Sequence, residues 1–196
     1  MPFVVECRQL GEVVVLASKA YRDDRGFFSE TYRADQFAAL GLPAAFVQDN
    51  HSFSRIGVIR GLHFQWDPPM GKLMRVTRGT AFLVAADIRK GSPTLGKWFG
   101  VEVSPESQKQ VWAPAGFARG FCALSEEVEV QYKCTGIYNG QAEGAIRWDD
   151  PRLGIDWPVK NAHLSEKDRN AWSFEQWLAN PNSEFLRYEE RAKIAG

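Results

Sequence analysis

Polar and apolar residues alternate most regularly over Glu127–Cys134. Valine, tyrosine and cysteine occupy positions 128, 130, 132 and 134, and polar residues occupy the positions between them. Because successive side chains of a β-strand point to opposite faces, this pattern predicts a strand with one buried face. Tyr132 belongs to the apolar set, so the prediction places its side chain on the inner face of a sheet.

A second pair of strands is predicted at 72–77 and 80–88, with Arg78 and Gly79 at the turn. Alternation over 80–88 again predicts one buried face. Lys72 has the same parity as the apolar residues Met74 and Val76. We therefore expect the stem of Lys72 to point inward as well.

Turn-forming residues recur between these short runs, from Gly26 to Pro151. Many short strands with regular turns predict an all-β sandwich or barrel. Helices are expected to be few: one at 34–40, one at 169–178 after a capping box at 165–168, and a peripheral one in the tail at 185–196. No repeat or long linker divides the chain, so we expect a single domain over 1–196.

Composition narrows the class of protein. The 24 lysine and arginine residues balance 24 aspartate and glutamate residues, so the formal net charge is zero. A bulk electrostatic nucleic-acid binder is normally basic, and that class is disfavoured. The three cysteines suggest no disulfide framework, and no apolar run reaches the length of a membrane helix. We expect a cytoplasmic protein that binds neither nucleic acid nor membrane.

Histidine is the side chain best suited to proton transfer near neutral pH. The chain has three, at 51, 63 and 163, without a close pair or a Cys-x-x-Cys motif, which disfavours a zinc or iron site. Nucleophile-elbow, P-loop and dinucleotide-binding motifs do not occur. Taken alone, His63 in its apolar run is more often a core residue than a catalyst. A base would need a carboxylate to orient its ring, and the candidates are Asp149, Asp150 and Asp168.

Several segments taken in order resemble one family. They include Asp23-Asp24-Arg25-Gly26-Phe27-Phe28-Ser29-Glu30, Gln48-Asp49-Asn50-His51-Ser52, Arg60-Gly61-Leu62-His63-Phe64-Gln65, Gly71-Lys72-Leu73-Met74-Arg75-Val76 and Pro114-Ala115-Gly116-Phe117-Ala118-Arg119-Gly120-Phe121, followed by 132–135, 148–151 and 164–168. Together they resemble the dTDP-4-dehydrorhamnose 3,5-epimerase family of the cupin superfamily. The resemblance implies a cupin-type jelly-roll β-sandwich with short flanking helices, assembled as a homodimer.

The family acts on a 4-keto-6-deoxy sugar linked to thymidine diphosphate (dTDP). The resemblance implies that His63 is the base, Asp168 its partner and Tyr132 the proton donor on the opposite face. Lys72 matches a cation near the keto oxygen, where it would stabilise an enolate. No cofactor is implied, because the ketone of the substrate is the electron sink. The implied reaction inverts C3 and C5 of dTDP-4-keto-6-deoxyglucose and gives dTDP-4-keto-rhamnose.

The resemblance also implies a nucleotide site shared by two subunits. Arg25, Phe28 and Glu30 match a segment that family dimers donate across the interface. Alternatively, Arg25 and Glu30 are a solvated ion pair on an edge strand. Four further residues match positions near the nucleotide or lining the pocket: Gln48, Asn50, Arg60 and Tyr138.

Two positions depart from the expected pattern. Arg60 and His63 would lie on opposite faces of an ideal strand, unless Gly61 permits a bulge. Arg119 stands where many family members have histidine; it could contact a phosphate or a sugar oxygen, or form a structural ion pair. This leaves a mono-epimerase, acting at C3 or C5 only, as the main alternative. A non-catalytic sugar-nucleotide-binding cupin and a metal-dependent oxygenase are more distant ones.

Overall fold

The protein folds as a β-sandwich with short helices at its surface. The structure is a computed structural model that describes residues 2–189. Its elements, in chain order, are β1 (Phe3–Gln9), β2 (Val13–Ser18), β3 (Ala20–Asp23), β4 (Gly26–Ser29), α1 (Ala34–Ala39), β5 (Gln48–Arg55), β6 (Ile59–Gln65), β7 (Lys72–Arg78), β8 (Ala81–Asp87), β9 (Trp98–Val103), β10 (Lys109–Ala113), β11 (Phe117–Ala123), β12 (Glu127–Cys134), β13 (Glu143–Ala145), α2 (Glu166–Arg169), α3 (Phe174–Ala179) and a 3₁₀ helix at Pro181–Leu186.

Two antiparallel sheets form the sandwich. The strand order is β1-β2-β10-β7-β12-β5 in the six-stranded sheet and β13-β6-β11-β8-β9 in the five-stranded sheet. Strands β3 and β4 make a separate two-stranded hairpin. The predicted all-β sandwich with short flanking helices is confirmed. No helix within residues 2–189 is long and apolar enough to cross a membrane.

Apolar side chains from both sheets fill the space between them. Val15, Val111 and Val130 come from the six-stranded sheet, and Leu83 and Phe117 from the five-stranded sheet. Each of them is at most 1% exposed. Burying a side chain of this size contributes roughly 1.5–3 kcal/mol. This core therefore holds the two sheets at a fixed separation, and with them the walls of any cavity between them.

Strand β12 has the bounds and parity that its alternation predicts. Val128 and Val130 are fully buried, and Tyr132 packs with them against the inner core. Strands β7 and β8 agree with the predicted pair within one residue at each end. The inward orientation predicted for Lys72 is confirmed as well, because Lys72 lines a cavity between the sheets.

The helix predicted at 34–40 is confirmed as α1, with Leu40 as its C-cap. The single helix predicted at 169–178 is wrong, because α2 and α3 divide that segment. Trp172 lies between them in an extended conformation. Its N–H donates to the carbonyl of Ala145 at 3.0 Å, and its carbonyl accepts from the N–H of Arg147 at 2.8 Å. Pairing with the sheet thus interrupts the helix, and Ser173 caps a new one.

The peripheral helix predicted at 185–196 is also wrong where the chain is described. The 3₁₀ helix ends at Leu186, and residues 187–189 are not helical. Residues 190–196 lie outside the described residues. Asn180 caps this 3₁₀ helix through its side chain, and Pro181 occupies its first position. The helical segment therefore begins at residue 181, before the start predicted at 185.

A bulge in β6 changes the direction of its side chains. Between the pairs Arg119–His63 and Phe121–Arg60, β6 uses one residue more than β11. Gly61 lies at this point with φ +128°, and a Cβ there would approach the backbone of β11 to 2.5 Å. The bulge removes the parity conflict, because Arg60 and His63 now line the same cavity.

Candidate active site

A cavity of about 130 Å³ lies between the two sheets. Strands β6 and β11 form one wall, and β7 and β12 form the opposite wall. Five of the residues singled out in the sequence line it: Arg60, His63, Lys72, Arg119 and Tyr132. A small molecule in this cavity would have a histidine on one side and a tyrosine on the other. That is an arrangement in which one group can remove a proton and the other can return one to the opposite face.

A carboxylate from outside the sheets orients His63. Nε2 of His63 lies 2.6 Å from Oδ1 of Asp168, which is part of α2. The N–H of Asp168 donates to the Ser165 hydroxyl, so the predicted cap also fixes the position of the carboxylate. An ionised carboxylate only accepts hydrogen bonds, so Nε2 carries the proton of the neutral imidazole. Nδ1 then keeps a free lone pair and is the atom able to act as a base.

Asp168 stays ionised despite its burial. Its side chain is 4% exposed, whereas that of His63 is 31% exposed. Burial by itself raises the pKa of a carboxyl group, but the hydrogen bonds with His63 and Ser165 hold the pKa of Asp168 below its ordinary value. The negative charge stabilises an imidazolium, so the contact supports proton uptake by His63.

The other two candidate carboxylates are engaged elsewhere. Asp149 accepts a hydrogen bond from Nε of Arg147 at 2.7 Å, and Asp150 accepts one from the N–H of Phe174 at 2.9 Å. The structure therefore brings only Asp168 of the three to His63. Among residues 2–189, no group of three or more histidine, cysteine, aspartate or glutamate side chains is arranged to hold a metal ion.

Lys72 and Tyr132 share the opposite wall. The ammonium group of Lys72 lies 4.7 Å from the centroid of the Tyr132 ring. Burial, together with the positive charge of Arg119, lowers the pKa of Lys72 to about 8. Burial raises the pKa of the Tyr132 phenol. At neutral pH the wall therefore carries a lysine that is still mostly charged and a tyrosine that keeps its proton.

Arg119 reaches the cavity from the middle of β11. Its Nη1 donates to the carbonyls of Met70 at 2.7 Å and Pro114 at 3.2 Å. Within residues 2–189 it forms no ion pair, so the structural ion pair considered for it is not present. Burial lowers the pKa of Arg119 to about 10, which leaves the guanidinium charged at neutral pH. Arg119 thus adds a further cation to a cavity that already contains Arg60 and Lys72.

Of the four residues matched to the nucleotide or the pocket in this part of the chain, Arg60 lines the cavity and Gln48, Asn50 and Tyr138 do not. Nε2 of Gln48 donates to Oδ1 of Asn50 at 3.0 Å, and Oε1 of Gln48 accepts from the N–H of Tyr138 at 2.8 Å. Arg60 is held by the Ser54 hydroxyl at 3.0 Å through its Nε, while Nη2 donates to a backbone carbonyl. Gln48, Asn50 and Tyr138 therefore form one connected group, and Arg60 is fixed separately in the cavity wall.

Arg25, Phe28 and Glu30 lie apart from the cavity. Arg25 pairs with Asp23 at the tip of the β3–β4 hairpin, and Glu30 lies 3.5 Å from Nη1 of Arg33. Phe28 is 66% exposed. Arg25 and Glu30 are thus solvated and paired, but with Asp23 and Arg33 and not with each other, as the alternative interpretation had it. None of the three lines the cavity that contains His63.

The sequence model of the dTDP-4-dehydrorhamnose 3,5-epimerase family matches residues 8–176. The chain belongs to this family. One epimerase of the family, the dTDP-4-dehydrorhamnose 3,5-epimerase of Pseudomonas aeruginosa, is 50% identical over 165 residues, which cover 83% of this chain and 91% of that protein.

Two further members of the epimerase family are informative. The crystal structure of dTDP-6-deoxy-D-glucose-3,5-epimerase from Legionella pneumophila in complex with dTDP-4-keto-L-rhamnose is similar with a TM-score of 0.89 and 43% identity, and covers 95% of this chain and 99% of that one. A dTDP-4-dehydrorhamnose 3-epimerase of Streptomyces niveus is 40% identical over 151 residues, covering 76% of this chain and 73% of that protein. The relatives thus include enzymes named as 3,5-epimerases and one named as a 3-epimerase.

Two polar residues near this epimerase site were not found from the sequence. Glu143 accepts hydrogen bonds from the hydroxyl of Tyr138 at 2.6 Å and from the ammonium group of Lys167 at 2.5 Å. Strand β13, which contains Glu143, pairs with β6 beside His63. The strand is too short to show a period, so the sequence carried no signal for Glu143. For Lys167, its position next to Asp168 was the one feature of the sequence that placed it near the site.

Proposed function

We propose that this chain epimerises C3 and C5 of dTDP-4-keto-6-deoxyglucose and yields dTDP-4-keto-rhamnose. The observation that carries the proposal is the position of His63 and Tyr132 on opposite walls of one cavity. Inverting a carbon requires a proton to leave one face and another to arrive on the opposite face. The names of the relatives, and the ligand in the Legionella enzyme, support the choice of sugar nucleotide.

The proposed reaction begins with the acidity that the 4-keto group gives to the neighbouring C–H bonds. Nδ1 of His63 takes a proton, and the Asp168 carboxylate stabilises the resulting imidazolium. The electron pair moves onto the keto oxygen, and the enolate is stabilised by the ammonium group of Lys72. Tyr132, which keeps its proton because burial raises its pKa, then protonates the carbon from the other wall. No redox cofactor takes part, because no electrons are gained or lost overall.

We further propose that two copies of the chain build each complete nucleotide site. Gln48, Asn50, Arg60 and Tyr138 would contact the nucleotide from the chain that holds the sugar. Arg25, Phe28 and Glu30 would come from the second copy. The exposed aromatic residues of the β3–β4 hairpin, Tyr21, Phe27 and Phe28, support this assembly, because apolar side chains grouped at one place on a surface favour a protein contact. We infer that one domain over 1–196 carries the activity. The three unpaired cysteines suit the reducing cytoplasm as its location.

The His63→Ala variant tests the assigned base. We expect turnover and solvent-proton exchange to fall by about 10²–10⁴-fold, which is the usual contribution of a positioned base. Binding of thymidine diphosphate, measured by calorimetry, should stay near the native value because His63 faces the sugar. Unchanged turnover in this variant would contradict the proposed base.

A mono-epimerase is the second candidate function. Arg119 and the similarity to a 3-epimerase are the observations that favour it. Incubation of the native enzyme with substrate in deuterated buffer separates the two candidates by NMR. Deuterium at both C3 and C5 of the product is expected for the 3,5-epimerase. Incorporation at one carbon alone would reject double epimerisation and establish the mono-epimerase.

A further inference from the structure

Arg119 is a buried charge that has no carboxylate partner within residues 2–189. It is 3% exposed, and its Nε and Nη2 atoms have no hydrogen-bond partner among the described residues. Arg89 is buried to a similar extent, at 7% exposed, yet it forms ion pairs with Asp87 and Glu12. A buried charge without a partner costs folding free energy. The contrast shows that the chain pairs buried arginine elsewhere and leaves Arg119 unpaired at the catalytic cavity.

Two further cations line this cavity, Arg60 and Lys72. Arg60 donates to the Ser54 hydroxyl and to the carbonyl of Phe53, and within residues 2–189 Lys72, like Arg119, forms no ion pair. The charged or titratable groups that act on it, besides the Tyr132 ring, are Arg119, Cys134, Glu143 and Lys167. Glu143 is the carboxylate in that set, and it is already hydrogen-bonded to Lys167 and to a tyrosine.

The remaining groups do not supply an anion. Burial raises the pKa of Cys134 and of Tyr132, so both are neutral at neutral pH. His63 on the facing wall already has Asp168 as its own counter-ion. The cavity therefore holds three cations, Arg60, Lys72 and Arg119, and no free negative charge from the described residues.

We propose that Arg119 is a positioning residue for the epimerisation, and that its fixed charge acts together with Lys72 to favour the enolate over the neutral ketone. The inference rests on the proposed function, because the enolate is its intermediate. Two neighbouring cations repel each other in the free enzyme. A negative charge that develops on the keto oxygen relieves this repulsion, whereas the neutral ketone does not. The interaction therefore stabilises the transition state more than the bound substrate, which raises kcat and leaves KM nearly unchanged.

The same repulsion gives the proposal a signature in pH. Lys72 is active while it is protonated, so its contribution is present below its pKa and lost as the pH rises through about 8. Without the charge at position 119, the pKa of Lys72 should move upward. Burial, the larger cause of the shift, persists, so the pKa should stop short of its ordinary value. The alkaline limb of kcat/KM should therefore move to higher pH while the rate at neutral pH falls.

The experiment compares Arg119→Met, Arg119→Lys and Arg152→Met with the native enzyme between about pH 6 and pH 10. Arg119→Met should lower kcat by about 10–10³-fold with little change in KM, and should shift the alkaline limb upward. Arg119→Lys, which keeps a charge, should recover part of kcat and keep the limb near its native position. Arg152→Met removes the same charge from an exposed ion pair with Glu175 and should behave as native. An alkaline limb at the native pH in Arg119→Met would overturn the proposal.

A direct titration keeps the test independent of turnover. The reactivity of the Lys72 amine toward acetic anhydride, followed by mass spectrometry across the same pH range, reports its pKa in each folded variant. The proposal expects a higher pKa in Arg119→Met than in the native protein, and equal values would reject it. If the native enzyme does not turn over the substrate, the proposed function fails. If it does, and only the Lys72 titration is unchanged, the inference about Arg119 fails alone.

Discussion

The Asp168 carboxylate determines which nitrogen of His63 can act as a base. It accepts from Nε2 at 2.6 Å, and this contact leaves the lone pair on Nδ1. Neither residue suffices alone, because an imidazole without an oriented partner can adopt either tautomer and several ring positions. The proposed catalytic unit is therefore the pair, and Ser165 contributes by capping the turn that carries the carboxylate.

The Asp168→Asn variant should lose activity although it keeps the size of the side chain. An amide no longer stabilises the imidazolium and can donate to Nε2, which selects the wrong tautomer. We expect kcat to fall by about 10²–10⁴-fold, measured by NMR of substrate turnover. Asp149→Asn is the matched control, since Asp149 pairs with an exposed arginine, and it should keep native activity. Equal activities of the two variants would contradict the role of Asp168.

Residue-level prediction from the sequence succeeded where a period was visible. Alternation alone oriented Tyr132 and Lys72 toward the interior. For His63 the sequence offered three candidate carboxylate partners and no means to choose among them. A contact between residues 105 positions apart depends on the fold. The family resemblance selected Asp168. Glu143 was not found, because its strand is too short to show a pattern.

At the scale of elements, the bulge in β6 decides the geometry of one cavity wall. An ideal strand would turn either Arg60 or His63 away from the ligand. The extra residue at Gly61 allows both to face the cavity. Glycine is required here because φ is +128° and the backbone of β11 leaves no room for a Cβ.

The Gly61→Ala variant should be destabilised by about 2–6 kcal/mol, the sum of backbone strain and overpacking. Gly26→Ala is the matched control, since Gly26 has φ +129° and nothing within 4 Å of an added Cβ. The free energy of unfolding of Gly26→Ala should fall only by the backbone strain, about 1–3 kcal/mol. Urea unfolding midpoints with constant slopes measure both values. A loss in Gly61→Ala no larger than in Gly26→Ala would show that the close approach to β11 is unimportant.

Sequence patterns predicted the strands better than the C-terminal helices. The prediction of one helix at 169–178 was wrong because Trp172 pairs with the sheet. Local helix signals in the sequence do not report such a tertiary contact. The parity of Arg60 and His63, with Gly61 between them, made a bulge possible from the sequence. Its position depends on how β6 pairs with β11. In both cases the contact between elements overrode the local preference.

At the scale of the whole molecule, one chain brings the proposed proton-transfer groups together in one cavity but does not bring every proposed nucleotide contact to it. The cavity, the dyad and the Lys72–Tyr132 wall are complete within residues 2–189. The exposed aromatic side chains of the β3–β4 hairpin are not part of the lining of this cavity. In a symmetric dimer, the β3–β4 hairpin of each chain could reach the cavity of the other chain, so that both sites would be completed in the same way.

Mixing two inactive variants tests this exchange. In a mixed dimer of His63→Ala and Arg25→Ala chains, one site has both changes and the other has neither. Random pairing makes about half of the dimers mixed, so about a quarter of native activity should return. Each variant alone should stay at least about 10-fold below native activity, because a charge-assisted contact or the base is missing. No recovery in co-expressed, demonstrably mixed dimers would contradict donation across the interface.

The central claim is that His63 and Tyr132 serve opposite faces of the sugar. It is tested most directly by the Tyr132→Phe variant in deuterated buffer, with exchange and inversion followed together by NMR. His63 remains able to remove a proton and return a deuteron to the same face. We predict that deuterium enters the substrate while inversion falls by about 10²–10⁴-fold. Loss of exchange and inversion to the same extent, or inversion at the native rate, would contradict the account.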